Sequence, residues 1–373
     1  MELTFETQTE LWHPLGRTLY EEAQGVRWFN WTAAGIEVRF HGTKLDCTLQ
    51  VEADYFPTEG DSFPWLAVFV DDEPQPRTVF SLPAGTTQYS LFESDVPAEH
   101  RLRLVKRSEA SKGRAGVKQF TTDGTFLAVE HPQPACRLEF IGDSITCGFG
   151  DELDEHGEFY FSTKLENGFA TYSATAAGLL NADYNSICVS GIPLCNSYDP
   201  NFKLSLPEAP DFDPPRRAME DYYAYTDRYH QECNGVKEGF AAWDFTSFVP
   251  DAIIINLGTN DSFRVRASGH DRKEEQHFED QYVAFLHQLR RLNGPAPVLA
   301  CTLGSMEYYL YDNILRAAQR YQHETGDERV FCLKYGAMFL PTEGTGALGH
   351  PSVKSQQRMG RELAAALAPW LNQ

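Results

Sequence analysis

Apolar and polar residues alternate in short runs through the first third of the chain. The runs 26–31, 36–40 and 101–105 repeat with a period of two, as a strand with one buried face does. Residues 65–70 are continuously apolar and stop at the turn-forming Asp71, Asp72, Glu73 and Pro74. Short strands broken by Gly, Pro and Asp turns predict an all-β sandwich over residues 1–130, and no helical periodicity interrupts them. His131, Pro132, Gln133 and Pro134 break the pattern and mark a domain joint.

From residue 135 the period changes. Strand-like runs at 137–141, 184–189, 252–257, 298–302 and 330–333 alternate with stretches at helical spacing. Phe169, Tyr172, Ala176, Leu179 and Leu180 share one helical face, as do Phe278, Tyr282, Phe285, Leu286 and Leu289. Residues 351–371 predict a closing helix with Pro351 at its first position. Strand–helix alternation predicts an α/β domain over 135–373, a parallel sheet wrapped by helices. Residues 196–242, rich in Pro, Asp and Tyr, interrupt this regularity. An insertion this long after a strand end is either a wall or lid over a site, or an oligomer contact.

A chain of 373 residues accommodates two domains at about 100–200 residues each. The excess of 53 Asp+Glu over 32 Lys+Arg gives a net charge of −21, which repels phosphate backbones and anionic lipid. Nucleic acid and membrane surfaces are therefore disfavoured partners, and a neutral polymer or small ester is easier to accept. No apolar run approaches the roughly 18 residues of a transmembrane helix. The first residues lack a basic stretch followed by an apolar one, so the chain reads as cytoplasmic, or as secreted if a leader was removed. Cys47, Cys136, Cys147, Cys188, Cys195, Cys233, Cys301 and Cys332 show neither a Cys-x-x-Cys pair nor zinc spacing. They read as reduced thiols, and neither metal nor cofactor is expected.

In open α/β sheets ligands bind beyond the carboxyl ends of the strands. Gly142, Asp143, Ser144 and Ile145 follow the run 137–141. Ser190 and Gly191 follow 184–189, and Gly258, Thr259, Asn260 and Asp261 follow 252–257. His350 stands just before the last helix. A hydroxyl, a glycine amide, an asparagine amide and an imidazole on one rim suit acyl transfer: the imidazole activates the serine, and the amides stabilise the oxyanion. Each feature alone is ordinary. The Gly-Asp-Ser segment is a common strand-to-helix turn, Gly-x-Asn-Asp a common loop, and a histidine before proline usually a satisfied loop residue.

As an ordered set these blocks resemble the SGNH, or GDSL, hydrolases. The resemblance implies a three-layer α/β/α, flavodoxin-like fold with Ser144 as nucleophile and His350 as base. The Ser144 amide, Gly191 and Asn260 would form the oxyanion hole. A narrower likeness spans nearly the whole chain. Residues 97–102 and 104–110, the segment Trp243, Asp244, Phe245 and Thr246, residues 255–261, and Gly349, His350, Pro351 and Ser352 are similar to carbohydrate esterase family 2. Those enzymes join a jelly-roll-like β domain to an SGNH domain. The likeness implies a serine esterase that removes acetyl groups from acetylated sugars, including xylan and glucomannan oligosaccharides.

One position departs from the wider pattern. Many SGNH hydrolases carry Asp three residues before the histidine, where this chain has Ala347. The family resemblance implies a Ser–His dyad with a backbone carbonyl orienting the imidazole, and Glu343 is the remaining acidic candidate. Asp143 is expected to brace the turn at Ser144, and Asp261 to bond backbone near the oxyanion loop; the two as a glycosidase carboxylate pair are the rival. Lys106, Arg107 and Glu109 are expected to form a structural ion pair at the domain interface, or else to contact sugar. Trp243, Tyr308 and Tyr309 offer aromatic platforms for substrate or simply pack. The competing functions are a lipase or thioesterase for longer acyl chains and a carbohydrate-binding protein with an inert hydrolase domain. The particular sugar, its hydroxyl and the oligomeric state stay open.

Overall fold

Two long strands carry the front domain. Gly35–Glu52 and Gly85–Lys106 pair antiparallel from Gly35 opposite Val105 to Val51 opposite Gly85. Register shifts at Gly42/Lys44 and Leu45/Asp46 bend the pair midway, as bulges do. Beyond the bend Gly35–Glu52 also pairs with Arg114–Thr122; before it the partners are Trp12–Leu15 and Thr125–Leu127. Thr18–Glu21, Val26–Phe29, Trp65–Val70 and Thr78–Ser81 extend the antiparallel sheet. Alternate residues such as Ile36, Val38, Phe40, Leu45, Cys47 and Leu49 enter one core with Trp12, Trp31, Leu104 and Phe120. The computed structural model describes residues 1–5, 8–53, 63–130, 134–153, 161–195 and 218–371.

The second domain is a parallel sheet in the order Ala182–Cys188, Cys136–Gly142, Ala252–Asn256, Val298–Leu303, Val330–Lys334. The second strand in sequence sits at the edge, outside the first, which is the flavodoxin-like order. The central strands are apolar on both faces because helices cover both. Phe140 and Ile254 pack under Tyr172–Leu180 and Val353–Leu371. Ile141, Ile253 and Ile255 pack under Arg272–Asn293 and Tyr311–Thr325. The closing helix begins at Val353, two residues beyond Pro351, so Pro351 is not its first residue. No helix among the described residues is long and apolar enough to cross a membrane.

The domains meet through buried polar groups. The Arg17 guanidinium donates to the carbonyls of Tyr223 (2.5 Å) and Tyr225 (2.8 Å) and to Glu139 Oε1 (3.2 Å). It also lies over the rings of Tyr223, Trp243 and Phe245 at 5.0, 5.1 and 5.6 Å. Asn30 donates to Asp227 Oδ1 (2.8 Å), and the Trp31 indole N–H to the Thr226 carbonyl (2.7 Å). His230 reaches Glu52 at 3.1 Å. Residues 218–242 of the insertion therefore line the domain seam. Residues 196–217 of the same insertion lie outside the described residues.

Candidate active site

Ser144 opens a one-turn helix, Ser144–Cys147, directly after the strand Cys136–Gly142. Gly142 permits the abrupt change of direction, since a Cβ there would lie 1.9 Å from Thr146 Oγ1. Asp143 caps the helix: its Oδ1 accepts the Ile145 N–H at 3.0 Å. The backbone N–H groups at such a helix start have no intrahelical partner.

His350 approaches from the loop before the last helix. Its Nε2 lies 2.9 Å from Ser144 Oγ, and its Nδ1 lies 3.0 Å from the Ala347 carbonyl. Leu348 (φ 50°) and Gly349 (φ 79°) are both left-handed, which turns the chain back so that His350 faces Ala347. The turn is tied down where Ala347 N–H donates to the Gly150 carbonyl at 2.9 Å and Gly346 N–H to the His350 carbonyl at 2.7 Å. Ala347 thus occupies the position where an Asp is common, and its carbonyl receives the imidazole. Burial pushes the His350 pKa below 6.5, against the opposing influence of the Ala347 carbonyl and of Glu109. The Phe149 ring lies 4.5 Å from the imidazole and is stacked on Phe161 at 3.8 Å.

The loop after Ala182–Cys188 runs beside Ser144. Gly191 has φ 78° and no atom near a Cβ position, so backbone conformation rather than space favours glycine there. Asn260 Nδ2 donates to the Ile192 carbonyl (3.0 Å) and to Asp143 Oδ2 (3.3 Å). Asp261 accepts the N–H groups of Leu194 (2.9 Å) and Cys195 (3.3 Å). Burial raises the carboxyl of Asp143 to about 7 and that of Asp261 to about 6. Both are buried and bonded to backbone or to Asn260, the arrangement of braces rather than of a glycosidase pair.

Other residues singled out in the sequence have partners of their own. Glu343 bonds Arg358 (2.6 Å), Ser355 (2.8 Å) and the Phe339 N–H (3.0 Å), and these hold its carboxyl down at about 2. It serves Arg358, not His350. Trp243 stacks on Arg17 at the seam. Tyr308 packs against Gly304, with Lys334 Nζ 5.1 Å from its ring centre, and Tyr309 donates to Glu275 at 2.7 Å. Lys106, Arg107 and Glu109 stand at the domain interface. Lys106 Nζ donates to the carbonyls of Asn30 (2.7 Å) and Glu109 (2.5 Å). Arg107 pairs with Glu152, and Glu109 accepts the Ser190 N–H at 2.5 Å. Glu109, Cys147 and Glu166 bring three potential metal-ligand atoms within 4.8 Å. Burial drives Cys147 and Glu166 toward their uncharged forms. No disulfide joins any of the eight cysteines, all of which are described residues.

Family models match both parts of the chain. The one described as carbohydrate esterase 2 N-terminal covers residues 15–132, and the GDSL-like lipase/acylhydrolase family covers 140–358. The chain belongs to the family 2 carbohydrate esterases of the GDSL hydrolases. It is 31% identical over 345 residues to the cellulase/esterase CelE of Acetivibrio thermocellus, covering 90% of this chain and 37% of that one. An acetylxylan esterase/glucomannan deacetylase of Cellvibrio japonicus is 27% identical over 247 residues, 66% of this chain and 60% of its own. This family member thus spans less than two thirds of either relative's length. Among solved structures, a family two carbohydrate esterase from Clostridium thermocellum in complex with cellohexaose superposes with a TM-score of 0.78 at 28% identity. The match covers 97% of this chain and 99% of that one.

Proposed function

We propose that this chain is a serine carboxylic ester hydrolase that removes O-acetyl groups from acetylated carbohydrate, of the xylan or glucomannan oligosaccharide kind. The observation that carries the reading is the relay from Ser144 Oγ to His350 Nε2 (2.9 Å) and from His350 Nδ1 to the Ala347 carbonyl (3.0 Å). Ser144 Oγ attacks the acetyl carbonyl while Nε2 takes its proton. The Nδ1–H donates to Ala347 throughout and fixes the tautomer, so the dyad works without an acidic third member. The oxyanion collects the N–H groups of Ser144 and Gly191 and the Asn260 amide, which gives up its longer bond to Asp143. Each such donor lowers the barrier by about 2.7–4 kcal/mol. The imidazolium then protonates the departing sugar oxygen, leaving acetyl on Ser144. Water attacks this ester with His350 again as base, and acetate leaves.

The names of the relatives and the cellohexaose bound to one structural neighbour support the carbohydrate half of the reading. The net charge of −21 favours a neutral substrate over nucleic acid or anionic membrane. Eight cysteines outside any disulfide fit a reducing, cytoplasmic setting. The test is acetate release from acetylated xylan and glucomannan oligosaccharides by wild type and Ser144→Ala, with a chain-length series of p-nitrophenyl esters. The wild type should release acetate, and Ser144→Ala should lose at least about 10³-fold in rate. Preference for octanoate over acetate would point to a lipase or thioesterase. Equally slow release by both proteins would leave an inert, sugar-binding domain.

A further inference from the structure

The β domain reaches into the acyl-transfer site through one side chain. Glu109 stands just beyond the strand Gly85–Lys106 and is 1% exposed. Its Oε2 accepts the Ser190 N–H at 2.5 Å and lies 3.6 Å from Cys147 Sγ. One oxygen from the front domain therefore touches both the loop of Gly191 and the short helix begun by Ser144. The Glu109 backbone is itself held at both its polar groups: its N–H donates to Glu166 Oε2 (3.1 Å) and its carbonyl accepts Lys106 Nζ (2.5 Å), which is in turn anchored on the Asn30 carbonyl (2.7 Å).

The far end of the same loop is fixed within the hydrolase domain, by Asn260 on Ile192 and by Asp261 on Leu194 and Cys195. The near end is different. Within the hydrolase domain the loop closes across Gly191 through the Ile192 N–H on the Val189 carbonyl (3.3 Å), and the Ser190 N–H inside that turn, one residue before Gly191, is held by Glu109 from the other domain. We infer that Glu109 is a positioning residue for the oxyanion loop, supplied by the β domain to the site of the other domain; this rests on the esterase reading above. The front domain is then part of the catalytic apparatus and not a separable binding module. The charged and titratable groups around Glu109 are Lys106, Lys112, Glu166 and Cys147, the last two pushed toward their neutral forms by burial. His350 faces Ser144, the Ala347 carbonyl and the Phe149 ring, and the Glu109 charge favours its protonated form. Glu109 thus also favours the imidazolium that forms during attack.

The full-length chain is assayed with p-nitrophenyl acetate as wild type, Glu109→Ala, Glu109→Gln and Ser144→Ala, recording kcat, KM, pH–rate profile and Tm. Glu109→Ala should lower kcat by about 10- to 100-fold, the cost of a misplaced catalytic group, with KM nearly unchanged. Glu109→Gln should recover most of kcat, because its amide oxygen can accept the same N–H. Both should move the acid limb of kcat/KM to lower pH, because the charge favouring imidazolium is gone. Wild-type kcat and profile in Glu109→Ala would overturn the inference. So would equal losses in both variants with the limb unmoved, the result of a packing role alone. If Glu109→Ala fails to fold, the limb of Glu109→Gln decides: shifted supports the inference, unshifted overturns it. An active Ser144→Ala would refute the esterase reading itself, whereas an inactive one beside unaltered Glu109 variants would sink only this inference.

Discussion

A methyl group added at Gly150 should disable the site without touching any reacting atom. Gly150 has φ 59°, and a Cβ there would stand 2.3 Å from Ala347 Cβ and 3.1 Å from Ala347 N. Carbon atoms rest at about 3.5–4.0 Å, so relief requires about 1 Å of separation. Ala347 is the segment that yields, because Gly150 is tethered within the turn that follows the Ser144 helix. Its carbonyl holds His350 Nδ1 at 3.0 Å, so the imidazole moves with it while Ser144 stays at the head of its helix. A displacement of that size costs about 100-fold in rate, and Gly150→Ala should show it in kcat on p-nitrophenyl acetate with KM little changed. The left-handed backbone adds about 1–2 kcal/mol of strain, a Tm loss of a few degrees. Ala347→Gly keeps the carbonyl and should act almost as wild type. Combined with Gly150→Ala it removes the Cβ–Cβ collision and should restore much of the lost rate. Wild-type kcat in Gly150→Ala, or a double variant no better than the single one, would refute this account of how the imidazole is held.

Three further outcomes follow from buried groups. Because burial lowers the His350 pKa, the acid limb of kcat/KM should have its midpoint below 6.5, with activity rising as pH rises through it; a midpoint above 6.5 would contradict this. Arg17→Ala leaves the buried Glu139 without its cation, bonded only by the Tyr223 hydroxyl, and takes the donor from two carbonyls at the domain seam; it should cost about 3–5 kcal/mol in denaturant unfolding; a loss under about 1 kcal/mol would show that the guanidinium adds little. Asp143 binds its proton more tightly folded than unfolded, since its folded pKa is raised to about 7. Its contribution to stability is therefore full at acid pH and is lost as pH rises through about 7, so Asp143→Asn should flatten the stability profile between pH 5 and 8 relative to wild type. An identical slope in both proteins would reject the raised value.

The parallel strands were legible because strands buried on both faces read as continuous apolar runs, as in Ala252–Asn256 and Val298–Leu303. The front strands were seen only at their centres. Gly85–Lys106 runs through residues 93–97, which are exposed at the bend and carry no alternating apolar pattern. The helix Thr259–Ala267 was hidden because it is short and polar and opens on residues that also make loops. Within the site, Ser144, Gly191, Asn260 and His350 were readable because each follows a strand or precedes the last helix. The Ala347 carbonyl could be inferred only from a missing Asp and the family likeness. Glu109 stood out as a charged residue beside Lys106 and Arg107, but its partner is a backbone N–H 81 residues away, which no local pattern encodes. Arg17 carried no signal at all, since its partners Tyr223 and Tyr225 lie in an irregular segment beyond residue 200.

The central claim is that acetyl passes through Ser144. Rapid mixing with an activated acetyl ester, an acid quench and peptide mass spectrometry read this directly. The account predicts one acetyl group on the peptide carrying Ser144, absent in Ser144→Ala and formed far more slowly in His350→Ala. Turnover with no acyl group on that peptide, or an acetylated peptide persisting in Ser144→Ala, would contradict it.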